Sequence, residues 1–144
     1  MCVATLACVE AEVQNARLCR AIVPVTDIAR ATAFYGALLQ LPGTPVSAGE
    51  HYVGCGSTLL ACDDARAAGD VGGDARPNPE FPSCAVDDLD AAFDRALHAG
   101  CRRLDVTIEM RRWGERSFCI VEPFGNPLYV GDAATIFTGS GCDN

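Results

Sequence analysis

Residues 20–39, RAIVPVTDIARATAFYGALL, decide the fold, because residues 81–100, FPSCAVDDLDAAFDRALHAG, repeat their pattern. Val25-Thr26-Asp27-Ile28 matches Val86-Asp87-Asp88-Leu89, and Ala31 matches Ala92. In the first copy Ala21, Val23 and Val25 alternate with Ile22 and Pro24, the period of a strand that tolerates Pro at an edge. Asp27 then offers a side-chain oxygen to cap a helix. Ile28, Ala31, Phe34, Tyr35 and Leu38 give that helix one apolar face, and Leu41-Pro42-Gly43 stops it. In the second copy Asp87 or Asp88 caps, and Leu89, Ala92, Phe93, Ala96 and Leu97 form the face. His98 falls in the last turn, where a cation complements the helix dipole, and Gly100 suits the position past the helix end.

Working outward, Asp27 and Asp88 stand 61 positions apart (88 minus 27), which leaves room for three strands after each helix. In the first half these read as 44–47, 51–54 and 58–62, and in the second as 102–109, 116–121 and 128–131. Cys19, Cys62, Cys84 and Cys119 sit in apolar, strand-like runs as small buried hydrophobes. Each half is β-α-β-β-β, with one sheet face that needs a partner. The expected fold class is α+β, built from two such modules. The domain spans 18–132, with modules at about 18–63 and 80–132 and a Gly-, Pro- and charge-rich linker at 64–79. Residues 1–17 read as an extension without the basic region of a signal peptide, and 133–144 as a tail.

At 144 residues the chain is one domain by size, with 49% hydrophobic and 21% charged residues. It holds 19 acids against 11 bases, all Arg, for a formal charge of -8. That balance argues against nucleic acid as a partner, and the absence of Lys removes Schiff-base chemistry. No apolar run approaches the ~20 residues of a membrane span. Nine Cys, an odd number without a C-x-x-C pair, point to reduced thiols and a cytoplasmic location. His51 is the one His that could face a cavity, and alone it reads as a strand or loop residue rather than a ligand.

Residues 111–132, RRWGERSFCIVEPFGNPLYVGD, form a hairpin whose Gly125-Asn126 pair suits a turn with positive φ. With the repeated modules and VTDIARATAFY, this segment resembles the vicinal oxygen chelate superfamily. That group includes glyoxalase I, extradiol dioxygenases, fosfomycin-resistance enzymes and bleomycin-resistance proteins. The resemblance implies curved sheets forming a cup, and pairing as a homodimer. It also implies metal ligands seven residues before each helix-capping Asp and three residues after the Gly-Asn turn. Here those positions hold Arg20, Phe81 and Tyr129. A guanidinium offers no lone pair to a metal, Phe has no donor atom, and Tyr ligates only as phenolate.

The resemblance is nearest in pattern to bleomycin-resistance proteins, which bind ligand without chelating a metal. It therefore implies a metal-independent small-molecule-binding protein, with no catalytic residue, metal or cofactor, that sequesters a drug or aromatic metabolite. Such pockets are mostly apolar with a few placed polar groups. The expected lining is Trp113, Phe118, Tyr129, Arg20, Phe81, Tyr52, Glu109 and Arg112. Within the cup Arg20 needs an acid partner, from Glu109, Asp105 or Glu122, or an anionic ligand. The alternative is a glyoxalase- or dioxygenase-type metalloenzyme with an atypical site near His51, Glu109 or Glu115.

Overall fold

The structure, a computed structural model, describes residues 16–69 and 76–136. Most of the expected extension, part of the linker and most of the tail lie outside those residues. The first module comprises β1 (Arg20–Pro24), α1 (Ile28–Leu39), β2 (Gly43–Ser47), β3 (Glu50–Cys55) and β4 (Thr58–Asp63). The second comprises β5 (Ser83–Val86), α2 (Leu89–His98), β6 (Arg103–Leu104), β7 (Glu109–Met110), β8 (Arg116–Val121) and β9 (Pro127–Asp132). The α+β class and the duplicated module stand as the sequence implies.

Both helices begin where their Asp residues dictate. Asp27 accepts from the Arg30 N–H and Asp88 from the Ala91 N–H, each at 3.0 Å, so each supplies an acceptor to an otherwise unpaired first-turn donor. Helix α1 ends at Gln40, which takes φ 54°. Gly100, past the end of α2, takes φ 87°.

Strand order is β1-β4-β3-β2 in one sheet and β5-β9-β8-β6 in the other, with β7 also on β8. In each module the first strand lies at the edge and pairs in parallel with the last. The single strand expected over 102–109 is two short pieces. Between them the Asp105 carboxylate accepts the Cys119 N–H at 2.8 Å, taking a donor the ladder would use. Val106 is 98% exposed.

One hydrophobic core serves both modules. Helix α1 contributes Ala31, Phe34, Tyr35 and Leu38, and α2 contributes Leu89, Ala92 and Ala96. Leu97, expected on that face, is 56% exposed. It directly follows buried Ala96, and adjacent helical residues lie about 100° apart around the axis. Cys62 is buried as expected, but Cys19 precedes β1 and is exposed.

Polar contacts bind the modules around this core. Tyr35 donates to Glu122 Oε2 at 3.2 Å, and Arg95 Nε donates to the Leu38 carbonyl at 3.0 Å. Asn126 Nδ2 donates to the Pro24 carbonyl at 2.7 Å, and Asn78 Nδ2 to the Ile22 carbonyl at 2.9 Å. The last two bonds cover the outer edge of β1. Among the described residues, no helix is long and apolar enough to cross a membrane.

Candidate functional site

The strand pleat sorts side chains between two faces. Val23, Val53, Leu60 and Cys62 of the first sheet, and Phe118, Ile120, Leu128 and Val130 of the second, enter the shared core. The alternate residues stand on the opposite, open face of each sheet, and these two faces carry half of the expected site: Arg20, Tyr52, Glu109 and Tyr129.

On the first sheet Arg20 pairs with Leu59, and Ile22 pairs with Ala61, which in turn pairs with Tyr52. Small Ala61 lets Arg20 and Tyr52 meet across it. Arg20 donates to the Tyr52 hydroxyl at 3.0 Å, with its guanidinium 5.4 Å from the ring centroid. The Tyr52 hydroxyl donates to Glu50 at 3.3 Å. Tyr52 therefore takes the place of the acid expected beside Arg20. Ile22, 57% exposed, and Leu59, 38% exposed, make the surrounding surface apolar.

On the second sheet Ser83 pairs with Tyr129 and Tyr129 with Cys119, while Ser117 pairs with Gly131. Across this face lies Arg111, which the sequence reading passed over. Its Nε donates to Ser117 Oγ at 2.8 Å. Its terminal nitrogens meet Glu109 at 2.7 Å and Asp105 at 3.3 Å. Its guanidinium stands 5.7 Å from the Tyr129 ring centroid, and Tyr129 donates to Glu115 at 3.3 Å. The result is a resident cation, held by two carboxylates, over a half-buried phenol. A possible sequence signal was the EMRRWGER run, in which a tight turn sends Arg111 back over β8; the Gly114 N–H donates to the Arg111 carbonyl at 2.9 Å.

The remaining expected residues are dispersed. Phe118 is fully buried against Phe93, with ring centroids 5.2 Å apart, and belongs to the core rather than to a ligand wall. A one-residue step along β8 separates it from the open face. Trp113, 60% exposed, and Arg112 occupy the turn before β8. Phe81 is 52% exposed. His51 is 7% exposed and packs its ring against Gly43, where a Cβ would overlap Nε2, so it fills space at the sheet end instead of facing a cavity.

Glu122 is fully buried at the hairpin turn. Burial pushes its carboxyl above the ordinary range, against the opposing hydrogen bonds from Asn126, Phe124 and Tyr35. Burial likewise pushes the Cys62 and Cys84 thiols up to about 12, so both are neutral.

No family model matches the chain, and no curated protein does. Solved structures do. A protein of unknown function from Agrobacterium tumefaciens aligns over 85% of this chain and 98% of its own, at 24% identity and a TM-score of 0.68. A member of the glyoxalase/bleomycin resistance protein/dioxygenase superfamily from Sphaerobacter thermophilus aligns over 81% and 97%, at 21% identity and a TM-score of 0.63. This is the vicinal oxygen chelate fold. A lactoylglutathione lyase from Agrobacterium tumefaciens shares it over 83% of this chain and 95% of its own, at 18% identity and a TM-score of 0.62.

Within the vicinal oxygen chelate fold, the three metal-ligand positions implied by resemblance fall on different supports. Arg20 stands on the first sheet, Tyr129 on the second, and Phe81 ahead of β5. Their donor chemistry does not fit a divalent ion. Among the described residues no group of three His, Cys, Asp or Glu side chains is arranged to hold one.

Proposed function

We propose that this chain is a metal-independent small-molecule-binding protein of the bleomycin-resistance type, whose ligand lies against the open sheet faces. The observation that carries this reading is Arg111. Its guanidinium is tied to Asp105 and Glu109 beside Tyr129, so the local acids are already neutralised by a fixed cation. A second cation of higher charge would meet repulsion there and no free ligand set. An aromatic ligand meets the Tyr129 and Tyr52 rings, and the hydroxyl-linked pairs Arg20–Tyr52 and Tyr129–Glu115 supply polar anchors.

A homodimer belongs to the same proposal. Among the described residues no further layer covers either open face, and each carries apolar surface that a second copy would cover, with Ile22 and Leu59 on one and Phe81 beside the other. The second copy then supplies the facing wall, in a cytoplasmic dimer that sequesters a drug or aromatic metabolite.

The test is a titration of Trp113 fluorescence with cationic glycopeptides and aromatic antibiotics, with and without a chelator. Saturable quenching that ignores the chelator is expected. Stoichiometric divalent metal in the purified protein, or binding abolished by the chelator, would replace this reading with the metalloenzyme one.

A further inference from the structure

A cleft of about 750 Å³ opens between the modules and meets the margins of the two open faces at Leu59 and Ala85. None of the side chains discussed above as sheet-face anchors lines it. The end of α1 and the start of β4 form one wall, through Leu39, Leu41, Leu59 and Leu60. The strand β5 forms the other, through Cys84, Ala85 and Val86. The volume lies in the range of small-molecule pockets, and the walls are largely apolar. The neutral Cys84 thiol adds to that character.

Arg95 is the one cation in the lining. Its Nε is fixed by the Leu38 carbonyl, which serves the last turn of α1, a turn without a basic residue of its own. No carboxylate of the described residues pairs with Arg95, although Asp87 and Asp88 line the same cleft. Asp88 is engaged in capping α2 at Ala91, and Asp87 is exposed, where solvent screens it. A half-buried guanidinium with its fork unpaired beside an apolar cleft is matched to a planar anion.

We infer that the inter-module cleft is a second binding site, which takes an elongated apolar carboxylate with its head group on the terminal nitrogens of Arg95. The apolar chain lies along the leucine wall and β5. Its anchor, Arg95, is none of the sheet-face anchors Arg20, Tyr52, Arg111 and Tyr129, so loss of either ligand leaves the anchor of the other in place.

Calorimetric titration of the full chain with octanoate, decanoate and octan-1-ol tests it. One site per chain is expected, tightening about fourfold per added methylene. Octanoate should bind at least tenfold more tightly than octan-1-ol. Arg95→Gln should bring octanoate down to the alcohol's affinity and leave the alcohol unchanged, which also verifies that the variant is folded. Ala85→Trp, at an exposed position, should block both ligands. The inference is overturned if no saturable binding occurs, or if Arg95→Gln keeps the preference for the carboxylate. It is equally overturned if octanoate binding is lost as the protein self-associates, which would make a second copy the occupant.

Discussion

Asn126→Ala should be among the most damaging single substitutions in this chain, although the residue lies in a surface-type turn sequence. Its side chain makes three hydrogen bonds at a site 1% exposed. Nδ2 donates to the Pro24 carbonyl at 2.7 Å and to Glu122 Oε1 at 3.1 Å. Oδ1 accepts the Asn78 N–H at 2.8 Å. Alanine would orphan a carbonyl of the first module and an amide from the segment joining the modules. At about 1 kcal/mol per neutral bond, and more where a buried partner is stranded, the loss is roughly 3–5 kcal/mol. That is a large share of the ~5–15 kcal/mol typical of a whole domain. For a chain of this size it corresponds to a fall in Tm of about 8–15 °C. Urea unfolding followed by far-ultraviolet circular dichroism gives the free energy directly. The midpoint should fall while the denaturant slope is kept. Asn126→Asp keeps the acceptor for Asn78 but turns an oxygen toward the Pro24 carbonyl and Glu122, so it should be at least as harmful. A loss below about 1 kcal/mol for Asn126→Ala would show that the modules do not depend on this stitch.

Phe118→Ala should cost about 3–5 kcal/mol as a core truncation; a stable variant altered only in ligand affinity would return Phe118 to the ligand wall. Glu122→Gln should be favoured increasingly as pH rises. Burial raises the native carboxyl above its unfolded value, so the native state binds more protons between the two, and wild-type stability falls as pH climbs through that window. A Tm difference between variant and wild type that stays constant with pH would refute this. Tyr129→Glu restores a carboxylate at the position implied for a metal ligand but leaves Arg111 beside it, so the purified variant should still lack stoichiometric nickel, zinc or manganese. Metal analysis that finds one ion per chain would contradict the argument from the resident cation.

The strands, helices and caps were legible in the sequence because their causes are local. Asp27 and Asp88 cap from within one turn, and the spacing of Ala31, Phe34, Tyr35 and Leu38 sets a buried face whatever lies opposite. The repeat of these signals 61 positions later (88 minus 27) gave the two-module fold. Sequence also named Arg20, Phe81 and Tyr129 as poor metal ligands, since that is a matter of donor atoms alone.

What lies opposite is a different kind of fact. Phe118 and Cys119 are neighbours in the chain, yet one enters the core and the other meets Arg111, because register against β9 fixes which side each faces. Arg111, read only as part of a turn, lies across Ser117 and Cys119 and becomes the charge of the second sheet. Asn126 and Glu122 show the same limit: Asn126, read as a turn residue, also reaches Pro24, and Glu122, offered as an acid for Arg20, instead meets Tyr35 in the other module. Such contacts join residues up to 102 positions apart. Short-range pattern carries no information about them, and only the packing of one module on the other decided them.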